Sequence, residues 1–239
     1  MAIATTAIEY DHNGTTLEAI MAFDDAVSGP RPGVLVGHAW AGRCQFSVDT
    51  AKHLASLGYV GFALDLYGKG VLGQSVEQNQ KLMQPFIDDR AMLQNRLSTA
   101  LAVMSQQEQV DPAKTGMIGF CFGGLCALDM ARSNADLLGV ASFHGLFMPP
   151  GNTEGAKISA KVLALHGYDD PMATPDQMTA LADELTKADA DWQINAYGGV
   201  MHAFTNPEAN DPSFGTVYNA AATRRAWTVT EDFLQECFS

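Results

Sequence analysis

Short apolar runs alternate with longer amphipathic stretches along most of this chain, and that alternation narrows the fold more than any other feature. Val34–Gly37 reads as a buried strand, and Tyr59–Leu64, Thr115–Phe120, Gly139–Phe143, Val162–His166 and Trp192–Tyr197 read as further strands. Between them, Val48–Leu57 (stopped by Gly58), Asp88–Gln107, Leu125–Arg132 and Pro175–Lys187 read as helices, and Val217–Phe238 closes the chain as another. In the longest internal helix, Leu93, Leu97, Leu101 and Met104 recur at helical spacing. Two further strands, Ala2–Tyr10 and Leu17–Asp24, open the chain around the turn signal Asp11-His12-Asn13-Gly14. Ser28–Gly33, rich in Gly and Pro, breaks regular structure before the first core strand, and Asp111-Pro112 ends the long helical unit. Strands alternating with helices imply an α/β fold, a mostly parallel central sheet with helices on both faces. At 239 residues, with no repeat or linker, the chain is expected to form a single α/β domain over 1–239.

Parallel sheets bind ligands beyond the carboxyl ends of their strands. The stretch Gly119-Phe120-Cys121-Phe122-Gly123-Gly124 sits at such a strand end. It reads as a G-x-S-x-G nucleophile elbow with cysteine in place of serine. A sharp strand-to-helix turn strains its central residue and lifts that side chain clear of the sheet. The flanking glycines remove Cβ atoms that would clash there. Cys121 is therefore the candidate nucleophile, and the helix after it favours the thiolate through its positive end. Cys126 and Cys237 read as small buried hydrophobes.

Asp169 and Asp170 follow Leu165-His166-Gly167, and His202 follows Gly198-Gly199. Both lie just past strand ends. The Gly-x-x-Asp spacing selects Asp170 over Asp169 as the acid that orients a base, and His202 is the candidate base. Nucleophile, acid and base thus come in the chain order of α/β-hydrolases. An oxyanion hole needs backbone N–H groups. Phe122 supplies one, and Trp40, in the loop Gly37-His38-Ala39-Trp40-Ala41-Gly42, is assigned the other. Tyr67 and Phe204 are expected to line the substrate pocket, from their loop positions. His12 and His53 look like surface residues. His38, His144 and His166 also end strands, but they lack metal-ligand spacing and read as polar groups serving loop backbone.

Composition removes several classes of function. Asp and Glu number 27 against 14 Lys and Arg, a net charge of -13, which repels a phosphate backbone, so no nucleic-acid partner is expected. No apolar run approaches membrane-spanning length, and Met1–Tyr10 does not resemble a secretory signal. The four cysteines match no zinc pattern, so free thiols, a cytoplasmic location and no metal are the expectations. A monomer is expected as well.

The chain resembles the dienelactone hydrolase (carboxymethylenebutenolidase-like) family of α/β-hydrolases over nearly its whole length. The resemblance rests on His38-Ala39-Trp40-Ala41-Gly42, Asp65-Leu66-Tyr67-Gly68, Gly119–Gly124, Ser142-Phe143-His144-Gly145, His166–Pro171 and His202-Ala203-Phe204-Thr205-Asn206-Pro207. It implies an α/β-hydrolase fold and a Cys121–Asp170–His202 triad acting on a small-molecule ester or lactone without a cofactor. Two positions depart from the family. The glutamate that holds the resting thiol in dienelactone hydrolases corresponds to Ala39. The arginine past the catalytic histidine is absent from Thr205-Asn206-Pro207, with Arg43 and Lys69 as candidate substitutes. The alternative is a non-turnover ligand-binding or redox-sensing module built on the same cysteine; cysteine peptidase activity ranks lower still, since the papain-type context is missing.

Overall fold

The computed structural model describes residues 2–239, which group into two compact units, one up to Met117 and the other Ile118–Ser239. In the first, β1 (Ile3–His12) and β2 (Thr15–Asp24) form an antiparallel hairpin whose last pair is His12 with Thr15. Asn13 and Gly14 both take positive φ, 54° and 77°, which is what a two-residue hairpin turn needs. Then come β3 (Arg31–Gly37), α1 (Gln45–Ser56), β4 (Val60–Ala63), α2 (Val76–Asp88), α3 (Arg90–Ser105) and β5 (Val110–Phe120). β4 is buried along its whole length and pairs parallel with β3, as a continuous apolar run in such a sheet should. β2 pairs antiparallel with β4, and α1 packs on β2, β3 and β4.

Several boundaries differ from the sequence expectation. α2 lies in a stretch to which the sequence assigns no element; only its Phe86 is buried, and Pro85 interrupts the pattern. It is held by its N-cap, with the Gln78 N–H donating to Ser75 Oγ at 3.3 Å. α3 begins at Arg90, not Asp88, because Asp89 caps it by accepting from the Met92 N–H at 2.8 Å. β5 starts at Val110 and runs through Pro112 instead of starting at Thr115. His12 is not a surface residue: it is buried, and Arg96 Nε donates to its Nδ1 at 3.1 Å.

The second unit continues with α4 (Phe122–Arg132), β6 (Gly139–Phe143), β7 (Lys161–Gly167), α5 (Pro175–Lys187) and β8 (Trp192–Tyr197). A short pair, β9 (Asn210–Asp211) and β10 (Thr216–Val217), precedes α6 (Ala220–Phe238). Val217 pairs with Asn210, so the last helix starts later than its apolar pattern suggests, after the Asn219 cap. β6 and β8 each pair parallel with β7. The strand order is β1-β2-β4-β3-β5 in the first unit and β5-β6-β7-β8 in the second, eight strands of a mostly parallel α/β sheet. Phe120 stacks on Phe143 with centroids 4.7 Å apart, and Trp227 of α6 lies 5.3 Å from Phe143. Each buried phenylalanine of this kind stabilises the fold by about 1.5–3 kcal/mol.

α4 is buried on every side. Its far end is fixed by Arg132, itself only 2% exposed. Arg132 Nε and Nη2 donate to the two carboxylate oxygens of Glu184 at 2.8 and 2.7 Å, and Nη2 also reaches the Phe147 carbonyl at 2.9 Å. A forked pair of this kind fixes orientation as well as distance, so the helix that begins at Cys121 is clamped to α5 at its other end.

Candidate active site

The local sequence dictates the elbow. Cys121 is the N-cap of α4 with φ 57° and ψ −116°, a conformation costly for any residue with a Cβ. Its N–H donates to the Phe143 carbonyl at 3.0 Å, and its own carbonyl accepts from the Gly124 and Leu125 N–H groups at 2.9 and 3.2 Å. The turn is tight enough that a Cβ on Gly119 would stand 1.9 Å from the Gly123 carbonyl oxygen. A second close approach seats the helix. A Cβ on Gly124 would lie 2.7 Å from Gly145 Cα, and one on Gly145 would lie 3.0 Å from the Gly124 carbonyl carbon. The Ser142–Gly145 turn after β6 therefore meets the first turn of α4 backbone to backbone.

Asp170 and His202 come together. Asp170 Oδ2 lies 2.7 Å from His202 Nδ1, and both side chains are buried. Asp170 Oδ1 accepts from the Met172 and Ala173 N–H groups at 2.8 and 3.3 Å, which fixes the carboxylate. Asp169 is exposed and bonds only through its backbone, to Val200. The His202 N–H donates to the Gly215 carbonyl at 2.9 Å, and its carbonyl accepts from Val217 at 3.1 Å. The β9–β10 loop thereby braces the base. His202 Nε2 is buried, and Cys121 acts on the ring through both charge and hydrogen bonding.

The electrostatics follow. Burial alone lowers the His202 pKa, but the Cys121 charge and the Asp170 hydrogen bond outweigh it and raise the value to about 10. The arrangement favours the protonated imidazolium form of His202. Protonation of His202 therefore contributes stability that is fully present below the ordinary value of 6.5 and is lost as pH rises through about 10. Titration of the ring by NMR should place His202 near 10, and Cys121→Ala should bring it down by about one unit or more. An unchanged value in that variant would mean the thiol is not what holds the proton.

The remaining residues divide. Phe204 does not line a pocket: it has no exposed surface, and its ring packs against His144 and Tyr197 at 5.2 and 5.5 Å. Its backbone is tied to α6 as well: Thr223 Oγ1 and the Asn219 N–H both donate to its carbonyl. The Phe122 side chain is likewise fully buried. Cys126 and Cys237 are buried thiols, and burial pushes Cys237 up to about 12. His144 and His166 are buried, and burial and then the His202 charge lower the pKa of His144 well below the ordinary value. Among the described residues, no three His, Cys, Asp or Glu side chains are grouped to hold a metal ion. A cavity of about 660 Å³ in this unit is lined by Arg132, Phe147, Ile158 and Leu181 among others, and by none of Cys121, Asp170 and His202.

In the first unit, the loop after β3 is organised by its own motif. The Tyr67 hydroxyl donates to the Trp40 carbonyl at 3.0 Å, and Tyr67 packs 4.8 Å from the His38 ring. His38 Nε2 accepts from the Leu66 N–H at 3.3 Å. Asp65 accepts from the Tyr67 and Gly68 N–H groups and from Glu18. The Asp-Leu-Tyr-Gly sequence is thus a brace for the loop carrying Trp40, a role the sequence alone did not disclose. Arg43 is bound to Glu18 at 2.7 Å, and Lys69 is paired with Glu9 and Glu18.

Among the described residues, no helix is long and apolar enough to cross a membrane. Comparisons with known proteins agree with this architecture. The family model of the dienelactone hydrolase family matches residues 17–238. A crystal structure of a dienelactone hydrolase-like promiscuous phosphotriesterase from metagenomic libraries is 32% identical, covers all of both chains and superposes with a TM-score of 0.95. An uncharacterized protein of Caenorhabditis elegans is 35% identical over 158 residues, 64% of this chain and 98% of its own. A probable 2-oxo-3-(5-oxofuran-2-ylidene)propanoate lactonase of a Bradyrhizobium species is 26% identical over 98% of this chain and 96% of its own. With the fold, the glycine-framed elbow and a match over almost the full length in agreement, this chain belongs to the dienelactone hydrolase family and is an ester or lactone hydrolase.

Proposed function

We propose that the protein hydrolyses a carboxylic ester or lactone through a covalent thioester on Cys121, with His202 as general base and acid and Asp170 as its orienting carboxylate. The observation that carries this reading is the buried 2.7 Å bond from Asp170 to a His202 ring that also senses the Cys121 charge, at the head of a helix. The thiolate attacks the carbonyl carbon, and a C–S bond forms as the oxygen takes the negative charge. The Phe122 N–H at the first position of α4 faces that charge with the positive end of the helix behind it. The family pattern assigns the second donor to the Trp40 N–H. The C–O bond then breaks, and the departing oxygen takes the proton from His202. Water attacks the thioester, gives its proton to the now neutral His202, and the acid leaves with Cys121 restored as a thiolate beside the imidazolium. Asp170 holds one tautomer throughout. We assign the pocket wall to Tyr67 at the mouth of the Trp40 loop.

Phosphotriesters belong in the substrate panel, because the 32%-identical relative carries that activity in its name. The test is a panel of an activated aryl ester, a neutral lactone, a carboxylate-bearing dienelactone and a phosphotriester, run with wild type and Cys121→Ser. Intact mass should show an acyl adduct on Cys121 during ester turnover. Turnover at an equal rate in Cys121→Ser, with no adduct in wild type, would remove the nucleophile assignment. Stoichiometric thiol labelling with no turnover of any substrate would instead support the non-turnover module.

A further inference from the structure

His144 stands outside the three residues assigned to the chemistry, but its placement is constrained from every side. It directly follows β6 with φ 38°, a left-handed backbone, and its N–H donates to the Leu165 carbonyl at 2.8 Å. Its ring lies edge-on 5.1 Å from the His202 ring and is enclosed further by Phe204 and Phe120. Nε2 is 2.7 Å from the hydroxyl of Thr205, a residue only 3% exposed. Nδ1 has no partner from any other residue. The ring is therefore committed through one atom, and that atom reaches the loop that carries the base.

The other ties of that loop run through its backbone and the Asp170 carboxylate. After His202 the chain turns sharply at Ala203, φ 56°. The β9–β10 loop holds His202 itself, and α6 holds the Phe204 carbonyl. The Thr205 side chain is anchored to the turn after β6, directly beside the elbow, where Phe143 accepts from the Cys121 N–H. A buried bond of this kind has no water to compete with it.

We propose that His144, through its hydrogen bond to Thr205, is a positioning residue that fixes the His202 imidazole relative to the Cys121 sulfur. The proposal rests on the assignment of His202 as the base. The titratable groups acting on His202 are Cys121 from the elbow, Asp170 and His166 from the end of β7, and His144 itself. His144 is neutral in this setting, so its contribution is geometric, and removing it moves His202 chiefly by loosening the pair with Cys121.

The experiment compares His144→Phe, Thr205→Val, their double variant and the conservative Thr205→Ser, using an activated aryl ester and NMR titration of His202. His144→Phe keeps an aromatic ring in the packing and Thr205→Val keeps the side-chain shape, and thermal midpoints check that each variant is folded. Each single change should lower kcat by about 10- to 100-fold, as expected for a small displacement of a reacting group, with KM within about twofold. The His202 pKa should fall in both. The double variant should be no worse than the worse single, because both remove one bond. Thr205→Ser should restore most of kcat. Wild-type kcat in either folded single variant overturns the proposal. So do losses that multiply in the double variant while the His202 pKa stays put, since that pattern describes packing alone. His202→Ala separates the two levels. If it stays active, the catalytic assignment fails; if it is dead while His144→Phe is normal, only the positioning role fails.

Discussion

Cys121→Ala should reduce kcat on an activated aryl ester by about 10⁴-fold or more, the scale seen when a triad member is removed. The fold should survive. The Cys121 side chain is only half-buried, and its backbone, not its sulfur, carries the bonds to Phe143, Gly124 and Leu125 that shape the elbow. Alanine also keeps a Cβ, so the strained φ of 57° is neither relieved nor worsened. Stopped-flow kinetics and a thermal melt on the same sample check both halves. A variant that stays folded and within about tenfold of wild type would mean that another group attacks the substrate.

The second large effect is on architecture. Gly119→Ala places a Cβ 1.9 Å from the Gly123 oxygen and 2.3 Å from its carbon, and both are backbone atoms that cannot rotate aside. The end of β5 and the first turn of α4 must separate. The cost is about 3 kcal/mol or more, beyond ordinary overpacking, which for a chain of this size is a fall of roughly 6–12 °C in thermal midpoint. Activity should fall with it, because the same displacement swings Cys121 away from His202. Gly198→Ala is the stability comparison, since a Cβ there meets nothing within 4 Å. Equal midpoints for the two variants would mean that the elbow is not as tight as its geometry indicates.

What the sequence disclosed, and what it hid, has a physical pattern. β6 and β4 are legible because they are buried on both faces and leave unbroken apolar runs. The elbow is legible because only glycine tolerates its close approaches. Asp170 was separable from Asp169 by spacing, and in the structure Asp170 is the one bonded to His202. α2 was illegible because a helix that buries one residue carries almost no periodic signal. Phe204 misled because an aromatic in a loop looks exposed until its packing against His144 and Tyr197, distant in the chain, is known. The His144–Thr205 bond joins positions 61 apart in the chain, and nothing local in either segment announces the other. Asp65 is similar: its carboxylate serves three backbone N–H groups, one of them on a strand far upstream.

The backbone at Cys121 has one more consequence. A left-handed cysteine at the head of α4 carries roughly 1–3 kcal/mol of conformational strain, with or without substrate. Glycine would relieve most of that, at a cost of only about 0.5–1 kcal/mol in chain entropy. Any optimisation of this chain for thermal endurance alone would therefore drift toward Cys121→Gly and discard the thiol. The residue best for persistence and the residue best for chemistry differ at this position, so a stabilisation campaign has to hold Cys121 fixed and look for its gains elsewhere.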